Sequence, residues 1–392
     1  MSAARAALLL AVSLSALVLP SSAAAHTARW TTRVERLIGR LPESVSVAAG
    51  GRIVYAHAGN ARRPPASVEK LLLSMALLDR FGPRYRIPTT VEGQPPATGV
   101  IRGNLWLVGH GDPELNDAAL ERIARRLRVL GVRAVRGAVI GVTNTFSRER
   151  WAPGWHPIAL HFIALPTALT YDANTTVSGF VFDPERRAAA ALTADLRNLG
   201  VRVRGYARAG RQPLPARPTL ARIRSAPLLE ILRRQNRDSL NFDAEVLAKM
   251  LGAAVFGEPG SIAKGARAIE RWARRRGVEL DAHDGSGLSY TNGATTNAVV
   301  RLLSAGSRER WGTLLRSTLP SGGEGTLAGR MIGVGVRAKT GTLLQRVSAL
   351  AGWVWLHRQR RWAEFAILSR GLAKPQAVAL EDAVVATVAG DA

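Results

Sequence analysis

The sequence contains no cysteine, which excludes disulfide-stapled scaffolds, Cys-ligated zinc and thiol catalysis. Acidic residues are scarce: 29 Asp and Glu stand against 54 Lys and Arg in 392 residues, a formal net charge of +25. That surplus points to an anionic partner, with nucleic acid, membrane surface and acidic wall polymer as the candidate classes. Lysine is rarer still, occurring only at Lys70, Lys249, Lys264, Lys339 and Lys374 and leaving 49 arginines. Where arginine is the default cation each lysine is informative, because an amine can be made to lose its proton and a guanidinium cannot. Beyond the N-terminus no apolar run approaches the ~18 residues of a membrane span. What is abundant is globular material, 47% hydrophobic and 21% charged. The length suits one large or two to three ordinary domains with a real core, and the composition is not that of a disordered acidic chain, a collagen or a coiled coil.

The N-terminus carries Arg5, an apolar run from Ala6 to Leu19, and the small-residue end Ser21-Ser-Ala-Ala-Ala25. This pattern reads as a secretory signal peptide, residues 1–25, with cleavage after Ala25. The mature chain is then expected to be soluble and extracytoplasmic (periplasmic, wall-associated or secreted), which sets nucleic acid aside as a partner.

Periodicity predicts a helix over Thr31–Ile38 and a hairpin of Val45–Val47 and Ile53–Tyr55 around Gly50-Gly51. A helix over Ser67–Phe81 is stopped by Gly82-Pro83. From about Thr89 short strands and helices follow: Gly103–Val108, Asp117–Leu130, Ala138–Val142, a strand-like Thr175–Phe182 and a helix over Ala188–Leu199. Pro213, Pro215 and Pro218 read as a linker. Helices return at Pro227–Arg234, Asp243–Leu251 and Ser261–Arg275, then two strands, Val347–Leu356 and Trp362–Ser369, and a last helix over Pro375–Val388. Similar texture at both ends with a different texture between implies one α/β domain split by an insertion.

Several familiar patterns fail on inspection. Gly333–Ala338 matches G-x-G-x-x-A, but a phosphate loop needs glycine directly before Lys339, where Ala338 stands, and strand-like sequence follows. H-E-x-x-H and G-x-S-x-G are both absent, and His110 and His161 are isolated.

Three short motifs remain, in order: Ser67-Val-Glu-Lys70, Ser239-Leu-Asn241 and Lys339-Thr-Gly341. Each alone is weak; together they take two of the five lysines. Ser67 opens a helix, where it is either a plain N-cap or a nucleophile whose developing charge the helix N-terminus favours. Lys70 lies one turn on and can reach its Oγ. Lys70 serves as a base only if burial and a second cation such as Lys339 lower its pKa. Ser239 and Asn241 share a turn between two helices. In the strand after Lys339, alternation places Lys339 and Gly341 on one face and Thr340 and Thr342 on the other. Gly341 would let a substrate backbone approach closely.

This constellation resembles the penicillin-recognising serine enzymes, whose signatures are S-x-x-K, S-x-N and K-T-G. It is most similar to the D-alanyl-D-alanine carboxypeptidase/endopeptidases of the low-molecular-mass penicillin-binding proteins, class C type. Supporting stretches run through the mature chain: Pro65–Leu72, Leu105–Pro113, Ala152–Trp155, Ala164–Thr170, Ser239–Glu245, Asp284–Ser289 and Gly325–Leu327. The resemblance implies that Ser67 attacks the penultimate D-Ala carbonyl while Lys70 takes its proton. Ser239 would relay a proton to the leaving amine, and Asn241 would orient Lys70 and the peptide. Lys339, Thr340 and Thr342 would hold the terminal carboxylate, and the Ser67 and Thr342 N–H groups would form the oxyanion hole. Stem peptides of peptidoglycan are the implied substrates, β-lactams the implied inhibitors, and no metal or organic cofactor is implied.

The implied fold is a β-lactamase/transpeptidase-like α/β (α+β) domain, an antiparallel sheet flanked by helices, over residues 26–88 and 226–392. A smaller inserted α/β domain would take 89–225, with the relatives' nested third domain reduced or absent. Leu240 departs from the family, which usually has Asp there; altered loop packing is expected rather than lost activity. A β-lactamase and a non-catalytic wall-binding or regulatory protein on the same scaffold are the alternatives. Export turns the +25 charge toward anionic cell-envelope polymers.

Overall fold

The computed structural model describes residues 22–344 and 346–391. The expected signal peptide lies mostly outside the described residues, and the expected cleavage point falls in the first turn of helix α1, Ser22–Ile38. The hairpin is β1, Glu43–Ala49, and β2, Arg52–His57. A single 3-10 turn, Ala66–Val68, then leads into α2, Glu69–Phe81. The middle of the chain forms β3 (Arg86–Glu92), β4 (Val100–Ile101), β5 (Leu105–Gly109), α3 (Asp117–Val129), β6 (Ala134–Val135) and β7 (Val139–Val142). After these come β8 (Thr175–Thr176), β9 (Gly179–Phe180), α4 (Pro184–Asn198), β10 (Arg202–Val203), β11 (Arg208–Gly210) and β12 (Thr219–Pro227). The last third is α5 (Leu228–Asp238), α6 (Asn241–Phe256), α7 (Ile262–Arg274), α8 (Thr296–Ser307), α9 (Gly312–Ser317), β13 (Val336–Leu343), β14 (Val347–Leu356), β15 (Arg361–Arg370) and α10 (Lys374–Asp391).

The two ends of the chain meet in one sheet. Its order is β13-β14-β15-β1-β2, antiparallel throughout. Both faces are covered, so β1 is buried along its whole length. On one face α1 and α10 close a core around Trp30, Phe365 and Val384. On the other, α2, α6, α7 and α8 close a larger core around Leu72, Leu247, Trp272 and Leu303. A second sheet, order β11-β7-β5-β3-β12, is mixed: its β5, β7 and β11 run parallel, as βαβ crossovers require. With α3 and α4 it encloses a separate core around Leu107, Ile123 and Leu192.

Three local expectations need correcting. Thr175–Phe182 is not one strand but a minimal hairpin, because Val177 and Phe182 are exposed and have no layer to bury them. The prolines at 213–218 do not separate domains. They join β11 to β12 within one sheet, with Pro218 O accepting from Gly93 N. Residues 146–164 do not pack in the second core: Phe146, Ala152, Trp155, Ala159 and Ile163 belong to the larger core beside α2 and α6. Lys249 of α6 fastens this segment, donating to the carbonyls of Ser147, Glu149 and Pro166 at 3.0, 2.9 and 3.1 Å.

Candidate active site

A cavity of about 510 Å³ has Ser67, Ser239, Asn241, Thr340 and Thr342 on its walls, brought together from three distant segments. Ser67 sits in the 3-10 turn before α2, directly after Ala66, which is fully buried with φ +47°. A left-handed alanine costs on the order of 1–3 kcal/mol and survives only where its surroundings hold it. Two glycines do so. A Cβ on Gly287 would lie 1.9 Å from Ala66 O, and one on Gly341 would lie 2.9 Å from both Ala66 Cβ and Pro65 O. The space beside Gly341, which the sequence reading reserves for a substrate backbone, is filled by the turn that presents Ser67. Nor is Ser67 a helix cap, since neither the turn nor α2 has a side-chain cap.

Lys70 Nζ reaches three acceptors: Ser67 Oγ at 3.0 Å, Asn241 Oδ1 at 2.8 Å and the Ser286 carbonyl. The side chain is fully buried. Burial pushes its pKa down to about 8, against the opposing pull of Asp284, Glu245, Glu69 and Asp243. The loop carrying Ser286 is pinned by carboxylates. Glu245 accepts from the N–H groups of Gly285 and Ser286 at 3.0 and 2.7 Å. Asp284 accepts from Trp155 Nε1, Asn292 Nδ2 and the N–H groups of Gly287 and Ser289, all within 2.7–2.8 Å.

Ser239 caps the C-terminus of α5 in the left-handed region, φ +58°, and this turns its hydroxyl toward β13. Lys339 Nζ donates to Ser239 Oγ at 2.9 Å and to Thr340 O at 2.8 Å. Alternation along β13 puts Thr340 and Thr342 on the cavity wall, while Lys339 and Gly341 are buried and off it. Burial drives the Lys339 pKa well below the amine range, and the charge of Lys70 pushes the same way. On the open edge of β13, Ala338 N donates outward to Pro320 O. By the two-residue repeat, the N–H groups of Thr340 and Thr342 face outward too.

Residues 34–180 and 175–390 match the D-Ala-D-Ala carboxypeptidase 3 (S13) family. The chain belongs to that family. A D-alanyl-D-alanine carboxypeptidase of Actinomadura sp. (strain R39) is 28% identical over 432 residues, covering 87% of this chain and 79% of that protein. Carboxypeptidase DacB of Mycolicibacterium smegmatis is 30% identical over 364 residues, covering 81% of this chain and 75% of that one. Among solved structures, penicillin binding protein 4 (dacB) from Haemophilus influenzae superposes with a TM-score of 0.78 at 20% identity, over 91% of this chain and 99% of that chain. The same protein complexed with a novel β-lactam gives 0.73 at 21% identity, over 87% and 93%. The S13 membership and this shared fold agree with the α/β architecture read from the sequence.

The S13 site also contains residues that the motifs do not reveal. Glu245, Asp284 and Trp155 lie in the quoted family stretches, but their work behind Lys70 shows only in three dimensions. His156, Phe162, Arg330 and Lys374 line the cavity without any motif; the rarity of lysine was the one signal for Lys374. His110 and His161 are not on its wall. Leu240 is 37% exposed and opens α6 without a side-chain cap.

Proposed function

We propose that this protein is an exported serine-type D-Ala-D-Ala carboxypeptidase, able to act as an endopeptidase on D-Ala cross-links, with Ser67 as the acylated nucleophile. The observation that carries the reading is the buried Lys70 amine held between Ser67 Oγ and Asn241 Oδ1, two side chains that line the cavity. With Lys70 neutral, the Ser67 hydroxyl donates its proton to Nζ as Oγ attacks the penultimate D-Ala carbonyl. The Ser67 and outward Thr342 N–H groups receive the oxyanion. The proton that Lys70 took is relayed through Ser239, held by Lys339, to the leaving amine as the peptide bond breaks; water then attacks the acyl group, giving a proton to Lys70 that returns to Ser67 Oγ as the ester breaks. Thr340 and Thr342 offer hydroxyls to the substrate's terminal carboxylate, and Gly341 seats the nucleophile turn. Penicillins would acylate Ser67 by the same attack. A fluorescent penicillin should label the wild type and not Ser67→Ala; full labelling of that variant would reject the reading.

The signal peptide of residues 1–25 and action on the peptidoglycan side of the membrane belong to this proposal. So does the division into a catalytic domain and an insertion. Arg86 pairs with Pro227 across β3 and β12, so the insertion joins the rest through adjacent strands, near the expected boundaries of 89 and 225. Anionic envelope polymers are the partners proposed for the charge surplus.

A further inference from the structure

Behind the three motifs, the segments that carry them share one further side chain. Asn236 lies in α5 one turn before Ser239 and is fully buried. Its Nδ2 donates to Ser74 Oγ of α2 at 3.2 Å and to Thr318 Oγ1, just beyond α9, at 3.0 Å. Both hydroxyls have spent their own protons: Ser74 Oγ donates to the Lys70 carbonyl and Thr318 Oγ1 to the Leu315 carbonyl, each at 2.7 Å. Each is left with lone pairs only, and this fixes the amide with its NH2 group toward them. Asn236 Oδ1 accepts from Gln235 Nε2 at 3.3 Å.

These bonds reach the other two motifs. Ser74 stands one turn after Lys70 on the same helix. Thr318 leads into Leu319 and Pro320, whose carbonyls accept from Arg337 Nη1 at 3.1 Å and from Ala338 N at 3.2 Å; Arg337 and Ala338 directly precede Lys339. One buried amide therefore joins the helix behind Ser67 and Lys70, the helix that ends in Ser239 and the strand of Lys339. The three are not equally dependent on it. Lys70 Nζ has three acceptors of its own. Among the described residues Ser239 Oγ is met only by Lys339 Nζ, and its left-handed backbone persists only where the surroundings hold it. Loosening the amide is felt first at Ser239.

We propose that Asn236 is a positioning residue for proton delivery: by fixing the end of α5 against α2 and β13, it keeps Ser239 between Lys70 and the leaving amine. This rests on the proposed function and deepens it.

The test uses two substrates with the same N-acylated D-Ala acyl group, a peptide that loses D-Ala and a thioester that loses mercaptoacetate. An amine must gain a proton as it leaves, whereas a thiol, with a pKa of about 8.5, can leave as the thiolate. In the whole protein, Asn236→Leu should lower kcat/KM for the peptide about tenfold, a fraction of what general-acid catalysis contributes, and leave that for the thioester within about twofold of the wild type. An equal fall for both substrates would show a structural role only and overturn the inference, as would a peptide rate equal to that of the wild type. If that variant does not fold, Thr318→Val, which removes one of the two acceptors, is read by the same ratio, with the same expected fall and the same contrary results. A wild type that penicillin does not acylate would instead overturn the enzymatic reading, and this inference with it.

Discussion

Lys70 is pulled in two directions, and the balance decides how the site titrates. Burial favours the neutral amine, while Asp284, Glu245 and Glu69 favour the ammonium, leaving the pKa at about 8. The neutral form is the base, so penicillin acylation should rise with pH through about 8 and level off above it; a profile flat from 6 to 9 would contradict this assignment. Lys70→Arg keeps the charge and loses the base, and should slow acylation by roughly 10²–10⁴, measured by stopped-flow quenching. The importance of Lys70 was legible because lysine is rare and stands three residues after Ser67. The carboxylates that set its pKa were not, since Glu245 and Asp284 are distant in sequence and nothing in their neighbours marks them as buried. Burial is what lowers it; the second cation that the sequence suggested, Lys339, is not among the causes.

Among the elements, helix starts and fasteners govern the site. Leu240 begins α6 in an extended conformation, φ −66° and ψ 113°, yet has no oxygen to accept from the first turn. Leu240→Asp should add an N-cap worth about 1 kcal/mol and raise Tm by about 2 °C, leaving the acylation rate as it is. A lower Tm would show that the loop cannot turn an aspartate toward the helix. Lys249 fastens the segment that carries His156 and Ile158 onto the cavity wall. Lys249→Met leaves three buried carbonyls without their donor and should cost about 1–3 kcal/mol, seen by urea unfolding, with a raised KM for peptide substrates. Among the described residues, periodicity placed seven of the ten helices to within about five residues, began α1 nine residues late, and missed α8 and α9. It failed at Thr175–Phe182 and at the prolines of 213–218, because neither a two-residue strand nor a loop inside a sheet leaves a repeat to read.

For the whole molecule the surplus of arginine is the dominant feature. Without residues 1–25 only Arg5 is lost and the charge falls to +24. Binding to purified wall sacculi should weaken steeply between about 0.05 and 0.5 M salt, about a threefold change in Debye length. Retention that does not change with salt would remove electrostatics from the account. The core of the second sheet is separate from the two cores that flank the first sheet, which supports the proposed insertion. The exception is the 146–164 segment, whose apolar residues pack against α2 and α6 and so give the catalytic cavity a wall drawn from the middle of the chain.

By itself the sequence determined what is local or additive: the run of helices and strands, the net charge, the lack of thiols, and the order of the three motifs. Tertiary structure alone decided what surrounds the two motif lysines. Strand alternation and burial turn Lys339 inward to Ser239, α6 and the 284–289 loop surround Lys70 with acceptors, and α10 brings Lys374 from the far end of the chain to the cavity. The reason is physical. A side chain's charge, reach and proton affinity depend on what desolvates it and which dipoles face it, and those neighbours are assembled by packing between segments that the sequence keeps far apart.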